Sequence, residues 1–386
     1  MAICANSERY DLLIQGGRVI DPEQGRDTVN QDVAVQDGKI VRIERGIRAD
    51  ARQVIDAAGL LVVPGLIDLH THVYDAMTAL SVPADPVALN TGVTTVVDCG
   101  TSGAATFAGF RKYCVEKARC RILAAVNIAT IGLADMPECG YAPFVDSNKA
   151  ASCIGANRDI AVAVKIRASR NALGDQGTIQ TLWMAREAAE VAGVPVICHL
   201  GEPPPAYDEI LGALRPGDIL THCFRQGPMH CPIDRGGRVK KTVEQARARG
   251  VLFDVGHGRG SFSWRTARLM LQQDFWPDII STDLHTGSIQ PPIAISMPDV
   301  MSKMLHLGMD LNAVLAAATI NPARSIGWQD RIGSLKVGQA ADIAVLRLEE
   351  GAFMLSDSHL NLETVARRFI AVWTILAGEP VPCRDG

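Results

Sequence analysis

The sequence predicts an α/β fold: a (β/α)8 TIM barrel joined to a small β-sandwich domain formed by both chain ends. Three observations lead there. Short apolar, β-rich runs recur about every 25 to 40 residues, segments of helical composition separate them, and both ends switch to short alternating strands with turn signals. Repeated strand–helix units specify a parallel sheet, and eight of them close a barrel.

The eight runs are LIDLHTH (66–72), TTVVDCG (94–100), RILAAVNIA (121–129), IAVAVKIRA (160–168), PVICHLG (195–201), ILTHCF (219–224), VLFDVGHG (251–258) and DIISTDLH (278–285). Helical segments such as GTIQTLWMAREAAEVAG and GGRVKKTVEQARARG lie between them, and MPDVMSKMLHLG and LNAVLAAATINPA follow the last. Residues 10–63 read as YDLLIQGGRVID, QDVAVQDGKIVRIE and ARQVIDAAGLLVVPG, with Asp37-Gly38 as a hairpin dipeptide. The tail segments GSLKVGQAADIAVLRL and FIAVWTILAGEPV have the same texture. The expected divisions are therefore 1–63 and 329–386 for the two parts of the small domain and 64–328 for the barrel. HLNLETVARRF, at 359–369, reads as helix-like and is expected to decorate the small domain.

A chain of 386 residues with 47% hydrophobic content can bury a large core. Its net charge of -4 gives no electrostatic reason to expect nucleic acid or an anionic membrane surface, so a small-molecule partner is expected. No segment has the apolar length to span a bilayer, and MAICANSERYDLLIQ lacks a basic region followed by a long apolar stretch. A cytoplasmic location follows as the expectation. The ten cysteines form no CxxC pair or regular framework and read as reduced thiols. Walker A and GxSxG are missing, and GHGRGS at 256–261 lacks the dinucleotide spacing.

Active sites of such barrels lie at the C-terminal ends of the strands. There the sequence is selective. Strand one ends in His70 and His72, strand four carries Lys165, strands five and six end in His199 and His222, and strand eight carries Asp283. His70 and His72 share a strand face, roughly 6.6 Å apart along the backbone, so two imidazoles can converge on one ion. The bland alternative is a pair of core histidines satisfied by carbonyls. Cys198 and Cys223 adjoin the last two histidines and face the opposite way, as small hydrophobes against the helices. Lys165 in AVAVKIRA is costly to bury unpaired. A neutral amine there could capture carbon dioxide as a carbamate; pairing with Asp98 or Asp283 is the equal alternative.

This ensemble, LIDLHTH with Lys165, His199, His222 and the Asp283 of STD, resembles the amidohydrolase superfamily, in the binuclear branch that includes dihydroorotases and hydantoinases. ATINPARSIGWQDRIGSLKVGQAADIAVL resembles that family's exit from the barrel into its β domain, and the likeness covers nearly the whole chain. It implies that His70, His72 and Asp283 hold one divalent ion, His199 and His222 the other, and carboxylated Lys165 bridges both. HTHVY, KIRAS, CHLGEPPP, THCF and DVGHGRGSFSW resemble most closely the amidohydrolase/deacetylase metallohydrolases, some similar to acetyl-ester hydrolases of α-acyloxy carboxylates and others dihydroorotase-like. The resemblance also allows a homo-oligomer.

Two cations sharing a water lower its pKa while one polarises the scissile carbonyl, which is hydrolytic chemistry. Imidazole and carboxylate donors favour Zn²⁺, with Mn²⁺, Fe²⁺ or Co²⁺ as substitutes. Asp283 is the expected general acid/base, against a purely structural ligand role. Arg167 shares the strand parity of Lys165 and could pair bidentately with a substrate carboxylate, or with the barrel wall. His257 could donate to a substrate oxygen, and Tyr74, Arg225 and His285 are weaker substrate contacts. The expected activity is hydrolysis of an acyl ester or amide of a small carboxylate-bearing compound. Cyclic amide hydrolysis is the runner-up, and a non-catalytic barrel scaffold is the alternative of another class.

Overall fold

The computed structural model describes residues 9–175, 177–291, 293 and 295–384. The first eight residues, half of the stretch read for a leader, and the last two, where the small-domain assignment ends, lie outside the described residues.

The N-terminal part supplies β1 (Arg9–Asp21), β2 (Arg26–Gln36), β3 (Lys39–Glu44), β4 (Asp50–Asp56) and β5 (Leu61–Pro64). Asp37 and Gly38 join β2 to β3 with φ of 50° and 71°, the left-handed pair that a two-residue hairpin turn needs. The barrel strands follow: β6 (Leu66–Thr71), β7 (Val93–Gly103), β8 (Arg121–Asn127), β9 (Ala161–Ala168), β10 (Val196–Leu200), β11 (Ile219–Thr221) and β12 (Leu252–Asp254). They form a seven-stranded parallel sheet in sequential order. The eighth run closes the ring through isolated parallel bridges, Asp254 to Ile279 on one side and Thr71 to Leu284 on the other. A regular ladder cannot pass through Asp283, whose φ is 51°.

β13 (Ile343–Ser356), β14 (Leu362–Leu376) and β15 (Glu379–Pro382) return to the N-terminal sheet, where β13 pairs antiparallel with β5 and places Val345 opposite Val62. Both chain ends thus share one eight-stranded sheet, in the order β15-β14-β13-β5-β1-β2-β3 with β4 beside β1. It curls over its own core: Leu12, Val33, Ile40, Ile55, Val62, Val345 and Ile375 pack as one cluster. The turn at Gly38 touches Ala377 and Gly378 beyond β14.

The helix-like segment 359–369 is strand instead. From Leu362 onward it belongs to β14, with Thr364 facing Met354 and Val365 facing Phe353 across a long hairpin. The two residues it buries fully, Val365 and Phe369, are four apart, a spacing that fits one face of a helix and one face of a strand equally well. Pairing with β13 decides the matter, and Phe369 N–H donates to Ser302 Oγ at 2.9 Å on the barrel helix Met297–His306. The hairpin therefore leans on the barrel wall.

Inside the barrel, Val97, Leu123, Ala163, Ile197, Ile219 and Ile279 fill the lower layer. Cys198 and Cys223 join the separate layer between strands and helices, as their parity predicts. Among the described residues no helix is long and apolar enough to cross a membrane.

Candidate metal centre

At the C-terminal mouth of the barrel, His70, His72 and Asp283 offer ligand atoms that all lie within 4.8 Å of one another. Asp283 Oδ1 stands 3.4 Å from His70 Nε2 and 3.2 Å from His72 Nε2. The other ring nitrogens are held from behind. His70 Nδ1 is 2.9 Å from Thr221 Oγ1, and His72 Nδ1 is 2.9 Å from Thr101 Oγ1. Such outer hydrogen bonds fix the ring and aim Nε2 inward, as metal-ligating histidines require. His222 and His199 form an adjacent pair, with His222 Nε2 2.7 Å from His199 Nδ1 and His222 Nδ1 2.7 Å from the Gly256 carbonyl. The His70 and His222 ring centroids are 5.1 Å apart, so the two groups share one space.

Lys165 reaches this space from β9. Its Nζ lies 3.1 Å from His70 Nε2 and 3.1 Å from Cys99 Sγ, rather than beside Asp98 or Asp283. The carboxylate of Asp98 accepts the Val73 and Thr101 backbone N–H groups instead. Gly100, with φ of 81°, makes room for the lysine stem: a Cβ there would stand 2.5 Å from Lys165 Cγ. Gly258, with φ of 49°, does the same for Asp283, whose Oδ2 would collide with an added Cβ. His222 and Asp283 themselves adopt left-handed backbone, with φ of 71° and 51°. Non-glycine residues held there store strain, and such outliers concentrate at functional sites.

The electrostatics suit a cation. Burial, aided by Lys165, holds His70 well below the usual imidazole range. Burial, with His222 beside it, does the same for His199, and burial, with Arg225 and His70 nearby, does so for His222, so all three keep their lone pairs at neutral pH. Burial opposes the charge of Asp283, yet the surrounding imidazoles of His70, His72, His285 and His222 outweigh it and hold the carboxyl well below its usual range. Neutral imidazoles and one carboxylate, converging without a proton between most of them, are the donor set a divalent ion takes.

Beneath the ligands lie two carboxylates that the sequence reading passed over. Asp68 accepts from His70 N, Thr282 N and Thr282 Oγ1, tying strand one to the eighth run; burial pushes its pKa up to about 7. Asp254 accepts from Thr221 Oγ1 at 2.6 Å and Ser281 Oγ at 2.7 Å, and so anchors the hydroxyl that orients His70. The available signal was the one that singled out the histidines: an ionisable residue inside an apolar strand.

The expected substrate contacts fare differently. Arg167 is buried, and Glu138 takes its fork, with Nε and Nη2 at 2.7 and 2.8 Å from the two carboxylate oxygens. The wall pairing is what forms. His257 is neither exposed nor open to a substrate, because Nδ1 meets the Gly258 carbonyl at 3.0 Å and Nε2 meets Lys303 Nζ at 2.7 Å. Tyr74 points its hydroxyl at the Thr106 carbonyl, 3.2 Å away. His285 stays near the ligands, with Nδ1 2.7 Å from the Asp283 carbonyl oxygen. Arg225 is buried beside them, and its Nε has no partner among the described residues. A surface cleft of about 1060 Å³ beside Phe107, Arg111 and Asn157 contains none of these groups.

The hairpin tip between β13 and β14 also reaches the mouth. Ser358 Oγ bonds to the carbonyls of His257 and Gly258, Trp264 Nε1 donates to the Asn361 carbonyl, and Lys303 Nζ donates to the Ser356 carbonyl. It braces the turn that carries Gly258 against Asp283.

A closed barrel with such a donor cluster at its mouth defines a metal-dependent hydrolase, and the comparisons agree. Residues 61–381 match the amidohydrolase family, and the chain belongs to it. It is 35% identical over 375 residues to a deacetylase of Agrobacterium fabrum, a match covering 96% of this chain and 91% of that protein. A crystal structure described as a dihydroorotase superposes with a TM-score of 0.88 at 31% identity, covering 96% of this chain and 97% of the other. One described as an adenine deaminase gives 0.89 at 27%, covering 97% and 100%. The chain is accordingly a hydrolase of amide or ester bonds, and family membership leaves no support for a non-catalytic scaffold.

Proposed function

We propose that the protein hydrolyses an acyl ester or amide bond of a small carboxylate-bearing compound, using two divalent ions held at the barrel mouth. The observation that carries this reading is the convergence of His70 Nε2, His72 Nε2 and Asp283 Oδ1, with Lys165 Nζ and the His199–His222 pair beside them. His70, His72 and Asp283 would hold one ion and His199 and His222 the other, with Zn²⁺ favoured by imidazole donors. When bound, such a pair supplies water activation and carbonyl polarisation.

The residues have distinct tasks. Lys165 is fully buried, and among the described residues no carboxylate forms an ion pair with its amine; capture of carbon dioxide, with loss of one proton, would convert it to a carbamate, an anionic oxygen donor that could hold both ions. Asp283, held ionised, is the group placed to accept a proton from the attacking water at its carboxylate and return it to the leaving heteroatom. Asp254 and the Thr221 and Thr101 hydroxyls keep the imidazoles aimed.

The deacetylase relative favours an acyclic acyl substrate. The dihydroorotase likeness supports a second reading, cyclic amide hydrolysis. A hydrolysis screen of metal-replete enzyme against N-acetyl amino acids, acetylated 2-hydroxy acids and cyclic ureides separates the two. Turnover among the acyl compounds is expected; turnover confined to the cyclic compounds would reverse the choice.

A further inference from the structure

Arg225 stands three residues beyond His222, where the chain leaves β11, and only 9% of it is exposed. Among the described residues its side chain makes one hydrogen bond, from Nη2 to Ser261 Oγ, in the turn after β12. No acceptor meets its buried Nε–H among the described residues, and no carboxylate pairs with it there. Its charge is felt by His199 and His222, and it in turn feels the carboxylate of Asp283, which places the guanidinium over the same mouth. Burial depresses its pKa to about 10, so it remains a cation at neutral pH. A guanidinium offers five N–H donors, and the described residues engage one of them.

Burying an unpaired cation is costly, and natural proteins keep such a group where an anion completes it. Arg167 illustrates the alternative, since Glu138 already satisfies its fork. We infer that Arg225, not Arg167, receives the substrate's carboxylate, and that the enzyme selects anionic acyl compounds whose carboxylate lies close to the scissile group. The inference rests on the hydrolase reading above and sharpens its substrate class. Planar, charge-assisted pairing would hold the anion against the Ser261 side of the mouth and leave the acyl group facing the donor cluster.

The test compares Arg225→Met and Arg225→Lys with the metal-replete wild type on two matched pairs. These are N-acetylglycine against N-acetylglycinamide, and an acetylated 2-hydroxy acid against its methyl ester. Arg225→Met should lose about 100-fold in kcat/KM on the anionic members, chiefly through KM, with a loss at least tenfold smaller on the neutral members. Arg225→Lys should recover part of the loss, because charge survives but the planar fork does not. The Tm should not fall, as it would for a structural ion pair, because an uncompensated buried charge is removed. Equal losses on charged and neutral members, no loss on either, or a wild type that prefers the neutral members would overturn the assignment. If the wild type cleaves none of the four, the acyl-hydrolase reading fails. Calorimetry with glycine and the free 2-hydroxy acid then decides Arg225: binding weakened about tenfold in Arg225→Met sustains it, and equal binding or none by wild type overturns it.

Discussion

The floor of the site and its rim are built by different rules. On the floor, donors come from strand ends, a hydroxyl or carbonyl braces His70, His72 and His222, His222 in turn meets His199, and neighbouring imidazoles keep Asp283 ionised. On the rim, Arg167 at the end of β9 and Arg225 and His257 just beyond β11 and β12 meet different fates: Glu138 satisfies the first, Lys303 and a backbone carbonyl engage the third, and the second keeps an unmet donor among the described residues. Under the proposed function, strand ends carry the chemistry and the loop group left unpaired carries the selectivity.

The sharpest way to break that contrast is to remove a floor residue. Lys165→Met should lose at least about 10⁴-fold in kcat and most of its bound metal, because residues that act as a unit fail together; metal analysis alongside turnover checks it. Retention of full metal and rate would erase the distinction between floor and rim. Next in size is the Arg167–Glu138 pair. Glu138→Gln leaves a buried guanidinium with a weakened partner and should cost about 3 kcal/mol of unfolding free energy, read from urea titrations. Replacing both residues with apolar ones of similar volume should restore most of it.

Lys303 gives a pH signature. Burial lowers its pKa to about 8 from 10.5, so between those values the unfolded chain binds more protons than the folded one. Stability therefore rises with pH across that window and loses this contribution as pH falls through 8. Wild type minus Lys303→Met should show a positive slope from pH 8 to 10.5, amounting to roughly 3 kcal/mol, in denaturant midpoints. A flat difference would mean that the lysine is solvated. The smallest effect is expected for Tyr74→Phe, which removes a hydrogen bond to the Thr106 carbonyl. About 1 kcal/mol of stability and no selective change between charged and neutral substrates are the expected readings.

What the sequence made legible follows the same boundary. Eight apolar runs reveal barrel strands because burial on both faces leaves little else for them to be, and the ionisable side chains interrupting them stand out. The same reasoning reached His70, His72, Lys165, His199, His222 and Asp283 but stopped short of Asp68 and Asp254, whose role is visible only once Thr282, Thr221 and Ser281 are beside them. Rim contacts are set across long sequence separations, as with Glu138 meeting Arg167 and Ser358 meeting the turn at Gly258, so strand parity alone assigned Arg167 a freedom it lacks. Segment 359–369 failed for a simpler reason. Its two buried positions suit both periods, and only the pairing with β13 selects one.

The central claim, that these six side chains gather paired cations around one reaction site, is tested most directly by anomalous diffraction from crystals grown with Zn²⁺ and bicarbonate. The account predicts one peak among His70, His72 and Asp283, a second against His199 and His222, and density extending past Lys165 Nζ to both. A mouth without anomalous scattering, the lysine ending at a bare amine and the imidazoles still bonded to one another, would contradict it.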